Sequence, residues 1–287
     1  MGADRLAVVG AGIMGRGIAQ VAALGGYKTV LQDIDAGQLQ AALADIRASV
    51  ARSVQRGGVA EAEAQQALAK LTTTTVLGEA THGAHIVIEA VPEHIHLKLE
   101  VLEELDRLCA PETILASNTS SLSITEMAAV TQRGPLVVGM HFFNPVPRMR
   151  LLEIVRGLET SADTVATAEQ VGQRLGKETV VVRESPGFVT SRINALIGNE
   201  AFRMLEEGVA TAKDIDKALK LGLNHPMGPF ELVDLVGLDT RLSILEYLHR
   251  TLGDRFRPSP LLVQYVKGGR LGRKTGRGVY DYGSGQD

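Results

Sequence analysis

The chain has 287 residues, 45% of them hydrophobic and 22% charged, with a formal net charge of −3. This is enough for one large domain or two ordinary ones with a sizeable core. The mild acidity, with no aromatics interleaved among basic residues, gives no nucleic-acid footprint. No apolar run reaches the length of a membrane span, and the first residues carry no signal-peptide pattern, so a soluble, cytoplasmic protein with no membrane partner is expected. The single cysteine, Cys109, has no internal disulfide partner and follows an apolar helical face, which points to a buried structural thiol.

Short β-branched runs at residues 6–9, 29–32, 86–89, 114–117, 136–141, 151–155 and 179–182 predict strands. Several are apolar throughout, as when both faces of a sheet are covered. Helical patterns at 15–24, 38–56, 60–70, 96–108 and 164–175 separate them, a βαβ series that predicts a doubly wound, mostly parallel sheet. Past "SPGF" (185–188) only helical patterns remain, at 189–206, 212–221, 229–236, 240–252 and 260–267. Gly208 and Gly222 stand where helix C-caps belong, and Thr211 reads as an N-cap with Asp214 three positions on. The expected organisation is an α/β domain over 1–184 and an all-helical domain over 185–287, without repeats.

The stretch "VVGAGIMGRGIAQ" places Gly10, Gly12 and Gly15 in G-x-G-x-x-G spacing between a strand and a helix. Glycines alone serve any tight turn, but Asp33 closes the second strand about twenty residues on. That is where a Rossmann-type fold needs an acid to accept from the adenosine ribose hydroxyls. Gly12 lets the backbone approach a pyrophosphate at the positive end of the helix. Because a carboxylate at Asp33 repels a 2′-phosphate, the expected cofactor is NAD rather than NADP.

In "GMHFFNPVPRMRLLEIV" (139–155), His141 lies at the carboxyl end of a buried-looking strand and Glu153 on the next strand. Oxidising a secondary alcohol by hydride transfer also removes the hydroxyl proton. A near-neutral imidazole suits that task, and an acid behind it fixes the tautomer and stabilises the imidazolium.

Several long motifs in order, "EAVPE" (89–93), "ASNTSSL" (116–122), the His141 stretch, "SPGF", "HPMGPFELVDLVGLD" (225–239) and "GRKTGRGVY" (272–280), run over nearly the whole chain. With them the sequence resembles the 3-hydroxyacyl-CoA dehydrogenases, of the single-function 3-hydroxybutyryl-CoA kind. The resemblance implies NAD-dependent interconversion of a (3S)-3-hydroxyacyl-CoA and its 3-oxoacyl-CoA. It makes His141 the base and Glu153 its partner, and sets Ser120 and Asn144 beside the reacting hydroxyl and the nicotinamide. It puts Glu93, Lys98 and Lys274 around NAD, and substrate contacts at Ser49 and Arg56, which share one helix face with Arg52. At Ser191 many relatives carry an asparagine that belongs to the substrate site.

His94 and His96 diverge on a helix and no ligand cluster accompanies them, so no metal is expected. Apolar stripes at 229–236 and 240–252 exceed what a domain of that size buries alone, which predicts a homodimer through the second domain. Two other readings stay open at this point: a dehydrogenase of a CoA-free 3-hydroxy acid such as gulonate or carnitine, and a non-catalytic NAD-binding protein.

Overall fold

The structure, a computed structural model, describes residues 5–283. The chain divides between Ser185 and Pro186 into two compact units.

The first unit holds one eight-stranded sheet in the order β3-β2-β1-β4-β5-β6-β7-β8. Its strands are β1 (Arg5–Val9), β2 (Lys28–Gln32), β3 (Leu71–Thr74), β4 (Ile86–Glu89), β5 (Ile114–Ser117), β6 (Val137–Phe142), β7 (Leu151–Arg156) and β8 (Glu178–Arg183). Strands β1 to β6 run parallel, β7 is antiparallel to β6, and β8 is parallel to β7. Helices α1 (Ile13–Leu24), α2 (Ala36–Gln55), α3 (Glu61–Ala69), α4 (Leu77–Thr81), α5 (Ile95–Leu108), α6 (Ile124–Ala129) and α7 (Ala162–Arg174) connect them. The fully apolar strand interiors, such as Leu6, Val8, Ile86 and Ile88, form one core with Ile18, Leu39 and Ile46 of the helices. This is the covered-on-both-faces pattern that their unbroken hydrophobicity implies.

Two elements escape a reading of the sequence. Leu71–Thr74 is a four-residue "LTTT" run with neither an apolar block nor alternation, and it becomes a strand because β2 offers it an edge to pair with. Leu77–Thr81 is a helix of little more than one turn, too short to show a period.

The second unit is helical: α8 (Thr190–Glu206), α9 (Ala212–Gly222), α10 (Pro229–Val236), α11 (Leu238–Leu252) and α12 (Pro260–Lys267). Phe202, Phe230, Leu245, Leu248 and Phe256 centre its core. Thr211 caps α9 by accepting from the Asp214 N–H at 3.2 Å. Gly208 takes a left-handed φ of +72° just past α8, but Gly222 is still helical and the cap falls on Leu223. Of the 229–236 stripe, Leu235 and Val236 stay exposed, whereas Leu245 and Leu248 of α11 are buried. Among the described residues, no helix is long and apolar enough to cross a membrane.

Candidate active site

The glycine loop joins β1 to α1. Gly10 has φ +99°, and a Cβ there would lie 2.8 Å from the Ala90 carbonyl oxygen. At Gly15 an added Cβ would fall 1.7 Å from the Gly10 carbonyl oxygen, so the helix start packs directly on the loop. Gly12 is different: a Cβ on it would meet nothing within 4 Å. It is also the N-cap of α1 without any side-chain cap. Open space therefore lies against the positive end of a helix whose first N–H groups lack side-chain acceptors, an arrangement that fits a pyrophosphate. Asp33 follows β2 directly. Its Oδ2 accepts from the Ala11 N–H at 2.7 Å and its Oδ1 from the Asp35 N–H at 3.0 Å. The carboxylate thus props the loop, and it keeps lone pairs for further donors.

On the other side of the sheet centre, His141 and Glu153 are direct partners in the antiparallel register of β6 and β7. Directly opposed residues of an antiparallel pair project to one face, and here His141 Nδ1 lies 2.7 Å from Glu153 Oε2. Glu153 is fully buried and His141 is 4% exposed. The Phe143 ring packs 4.4 Å from the imidazole, centroid to centroid. A carboxylate acceptor at Nδ1 selects the tautomer protonated there and leaves Nε2 as the basic nitrogen.

The loops after β4 and β5 meet through Glu93. Its Oε1 accepts from the Thr119 hydroxyl at 2.6 Å and from the Ser120 N–H at 2.8 Å. The Ser120 hydroxyl has no hydrogen-bond partner among the described residues. Behind it, Ser123 caps α6 by accepting from the Glu126 N–H at 3.0 Å.

Lys98 is not a surface charge. It is 1% exposed, with Nζ 2.7 and 3.0 Å from the two oxygens of Glu89, 3.2 Å from the Val91 carbonyl and 3.4 Å from Glu93. Glu89, itself fully buried, also accepts from the Ser117 hydroxyl and the Val91 N–H, both at 2.6 Å. Burial raises its pKa, and Lys98, Ser117 and Val91 work against that rise. Reading the sequence misses Glu89 as an individual residue. The available signal was Lys98, which shares the buried stripe of α5 with Leu102 and Leu105: a lysine on an apolar face needs a buried acid.

Asn144 is exposed and precedes Pro145 across a cis peptide bond. It lines a cavity with Ser49 of α2, whereas Arg56, the C-cap of α2, does not line it. In the second unit, Lys274 pairs with Asp239, Nζ lying 2.6 Å from each carboxylate oxygen. Ser191 is half-buried in the first turn of α8. The structure thus joins His141 to Glu153, joins Glu93 to both Lys98 and Ser120, and sets Ser49 beside Asn144.

Residues 5–185 match the model for the 3-hydroxyacyl-CoA dehydrogenase NAD-binding domain, and 187–282 the model for the C-terminal domain of the same enzymes. A Bacillus subtilis protein named "Probable 3-hydroxybutyryl-CoA dehydrogenase" is 48% identical over 97% of both chains. The 3-hydroxybutyryl-CoA dehydrogenase of Bradyrhizobium diazoefficiens is 44% identical over 97% of this chain and 95% of its own. The crystal structure of (S)-3-hydroxybutyryl-CoA dehydrogenase from Ralstonia eutropha superposes with a TM-score of 0.94 at 44% identity, covering 98% of this chain and 99% of that one. The chain belongs to the 3-hydroxyacyl-CoA dehydrogenase family.

Proposed function

We propose that the protein is an NAD-dependent (3S)-3-hydroxyacyl-CoA dehydrogenase acting on short acyl chains, 3-hydroxybutyryl-CoA first among them. The buried His141–Glu153 pair carries this reading, since it supplies the proton acceptor that a hydride-transfer oxidation requires. His141 takes the C3 hydroxyl proton on Nε2 while the carbonyl forms. Glu153 holds the ring by Nδ1 and balances the imidazolium charge that appears. The Ser120 hydroxyl donates to the substrate oxygen, and Asn144 orients the same end of the substrate. NAD, when bound, accepts the hydride that leaves C3. Gly10, Gly12 and Gly15 would give its pyrophosphate a close backbone approach, Asp33 would hold the adenosine ribose, and the family resemblance assigns Glu93, Lys98 and Lys274 to the cofactor as well.

Burying the base has a physical purpose. The buried carboxylate of Glu153, 2.7 Å from Nδ1, fixes the orientation of the ring before the reaction begins. In the reverse direction the same imidazolium returns the proton to the forming alkoxide.

Ser49 and Arg56 belong to the coenzyme A side of this reading. Ser191 stands in for the family's asparagine, a shorter donor and acceptor able to work through a bridging water. The second unit also mediates a homodimer: Ile193, Leu223, Leu235 and Val236 are each at least 40% exposed, an apolar surface that a second copy covers. The reading places the enzyme in the cytoplasm, where the Cys109 thiol, pushed up to about 11 by burial, stays reduced and inert.

Activity is tested by following the nicotinamide absorbance with acetoacetyl-CoA and NADH, against free 3-hydroxy acids and NAD. Turnover of the CoA ester supports the reading, and turnover of the free acids alone refutes it. Light scattering should give about twice the chain mass of 30.6 kDa.

A further inference from the structure

Glu89 ends β4, where the sheet register aligns it with Val9 of β1 and Ser117 of β5. The strand order turns back between β1 and β4, and ligands of such sheets bind outside the carboxyl ends of the strands at that point. Glu89 is therefore well placed for the site, yet it is fully buried. It can act only through its neighbours.

Those neighbours form a chain. The Lys98 ammonium lies 2.7 and 3.0 Å from the two Glu89 oxygens, 3.2 Å from the Val91 carbonyl and 3.4 Å from Glu93 Oε2. An ammonium has three N–H donors, and these three partners account for them. Glu93 is the outer acid, its side chain 41% exposed. Its other oxygen, Oε1, accepts from the Thr119 hydroxyl at 2.6 Å and the Ser120 N–H at 2.8 Å. Thr119 Oγ1 in turn accepts from the Leu122 N–H at 2.9 Å, so the loop that carries Ser120 is fastened to Glu93.

One ammonium thus stands between two carboxylates, and Glu89 holds it, with two short bonds against one longer contact. While Glu89 compensates Lys98, Glu93 is left to the loop. Without the Glu89 charge, Glu93 is the remaining carboxylate within ion-pair distance of a buried ammonium among the described residues. An uncompensated buried charge is costly, so Lys98 and Glu93 close on each other and Oε1 is drawn away from the Ser120 N–H.

We propose that Glu89 is a positioning residue for the reaction: by holding Lys98 it leaves Glu93 to fix the Ser120 loop, and so sets the Ser120 hydroxyl toward the substrate oxygen. This inference rests on the role given to Ser120 above and adds the buried residue that sustains it.

A double-mutant cycle on the reduction of acetoacetyl-CoA by NADH tests it. Ser120→Ala alone should lower kcat about 3- to 10-fold, the worth of one neutral hydrogen bond. Glu89→Gln should lower it by about the same factor, with an unchanged circular dichroism spectrum. Because both act on one hydroxyl, the double variant should be no slower than the slower single one. Glu89→Asp, which keeps the charge and shortens the reach by one methylene, should lose less and show the same non-additivity. It carries the cycle if the unpaired ammonium keeps Glu89→Gln from folding. An acid that merely supports the fold would give losses that multiply, and that result overturns the inference. So does full activity in folded Glu89→Gln, or in Glu89→Asp where the glutamine variant does not fold. Full kcat in Ser120→Ala overturns the role of Ser120 and the inference with it, so the two failures are distinguishable.

Discussion

In the first unit the fully buried acids Glu89 and Glu153 face side chains that carry or take up charge, the Lys98 ammonium and the His141 imidazole. In the second unit Asp216 and Asp234 are buried as deeply, yet their partners are backbone N–H groups and tyrosine hydroxyls. Asp216 accepts from the Phe230 N–H at 2.8 Å, the Glu231 N–H at 3.1 Å and the Tyr280 hydroxyl at 2.7 Å. Asp234 accepts from the Val279 and Tyr280 N–H groups at 2.8 and 2.9 Å and from the Tyr282 hydroxyl at 2.9 Å. A buried acid is thus no mark of chemistry by itself. An acid bound to fixed donors ties segments together, whereas an acid bound to a titratable or cationic side chain controls a charge. The motifs "HPMGPFELVDLVGLD" and "GRKTGRGVY" owe part of their pattern to the first kind, since Asp234 of one holds Val279 and Tyr280 of the other.

If the contrast is right, breaking the His141–Glu153 pair removes activity and spares the fold. His141→Gln should lower kcat by roughly 10²–10⁴-fold, the range for losing general acid–base catalysis, with an unchanged circular dichroism spectrum. Glu153→Gln should cost less, because the imidazole keeps a neutral hydrogen bond and loses only the counter-charge. Full activity in folded His141→Gln protein would overturn the assignment of the base.

Asp234→Ala should do the opposite. It strands two backbone N–H groups and a hydroxyl in a buried place, for a loss of about 3 kcal/mol in unfolding free energy. Urea titration reads that loss. The active fraction, counted by NADH binding, should keep a near-normal kcat per folded molecule.

Asp33 tests the contrast at its weakest point, because it is an acid of the first unit that holds backbone N–H groups. As a strut alone, Asp33→Ser would lower stability and leave cofactor choice intact. As the ribose acceptor it should also shift the NAD-over-NADP ratio of kcat/KM by about tenfold or more, the change that one charged contact of 1.5–3 kcal/mol allows. An unaltered ratio would leave Asp33 a strut.

The same division explains how far the sequence could be read. The sheet, the glycine loop and the His141–Glu153 pair were legible because each follows from local pattern. Unbroken apolar runs make covered strands, and opposed positions on adjacent strands share a face. The partners of Lys98 and of Asp234 depend instead on where separate segments dock. Lys98 and Glu89 stand nine residues apart and Asp234 and Val279 forty-five, and no period in either stretch encodes the meeting. Leu71–Thr74 failed for a related reason, since only its neighbour β2 makes it a strand.

The smallest expected effect concerns Asp216, and its sign is the informative part. Burial raises its pKa, and the hydrogen bonds from Tyr280, Phe230 and Glu231 oppose but do not cancel that rise. The folded state therefore holds a proton at pH values where the unfolded chain, with an aspartate pKa near 3.9, has released it. Where the folded state binds more protons, stability falls as pH rises. The Asp216 contribution is thus fully present below about pH 4, declines as pH climbs through the raised folded value, and is level above it. Glu231 behaves in the opposite sense. The hydrogen bond from Lys220 lowers its pKa against desolvation, so its contribution is present above the usual glutamate range and is lost as pH falls. Comparing wild type with Asp216→Asn isolates the first effect, because Glu231 and Lys220 remain in both proteins. The variant is less stable throughout, having exchanged a carboxylate acceptor for an amide. Its deficit in Tm should nonetheless shrink from pH 4 to pH 7, because only the wild type loses the proton-linked contribution over that interval. A deficit that grows with pH would mean that Asp216 is held as a carboxylate by its three donors more strongly than burial opposes it. In that case the struts of the second unit would also be charge-stabilising sites, and the contrast with Glu89 would narrow to the identity of the donor.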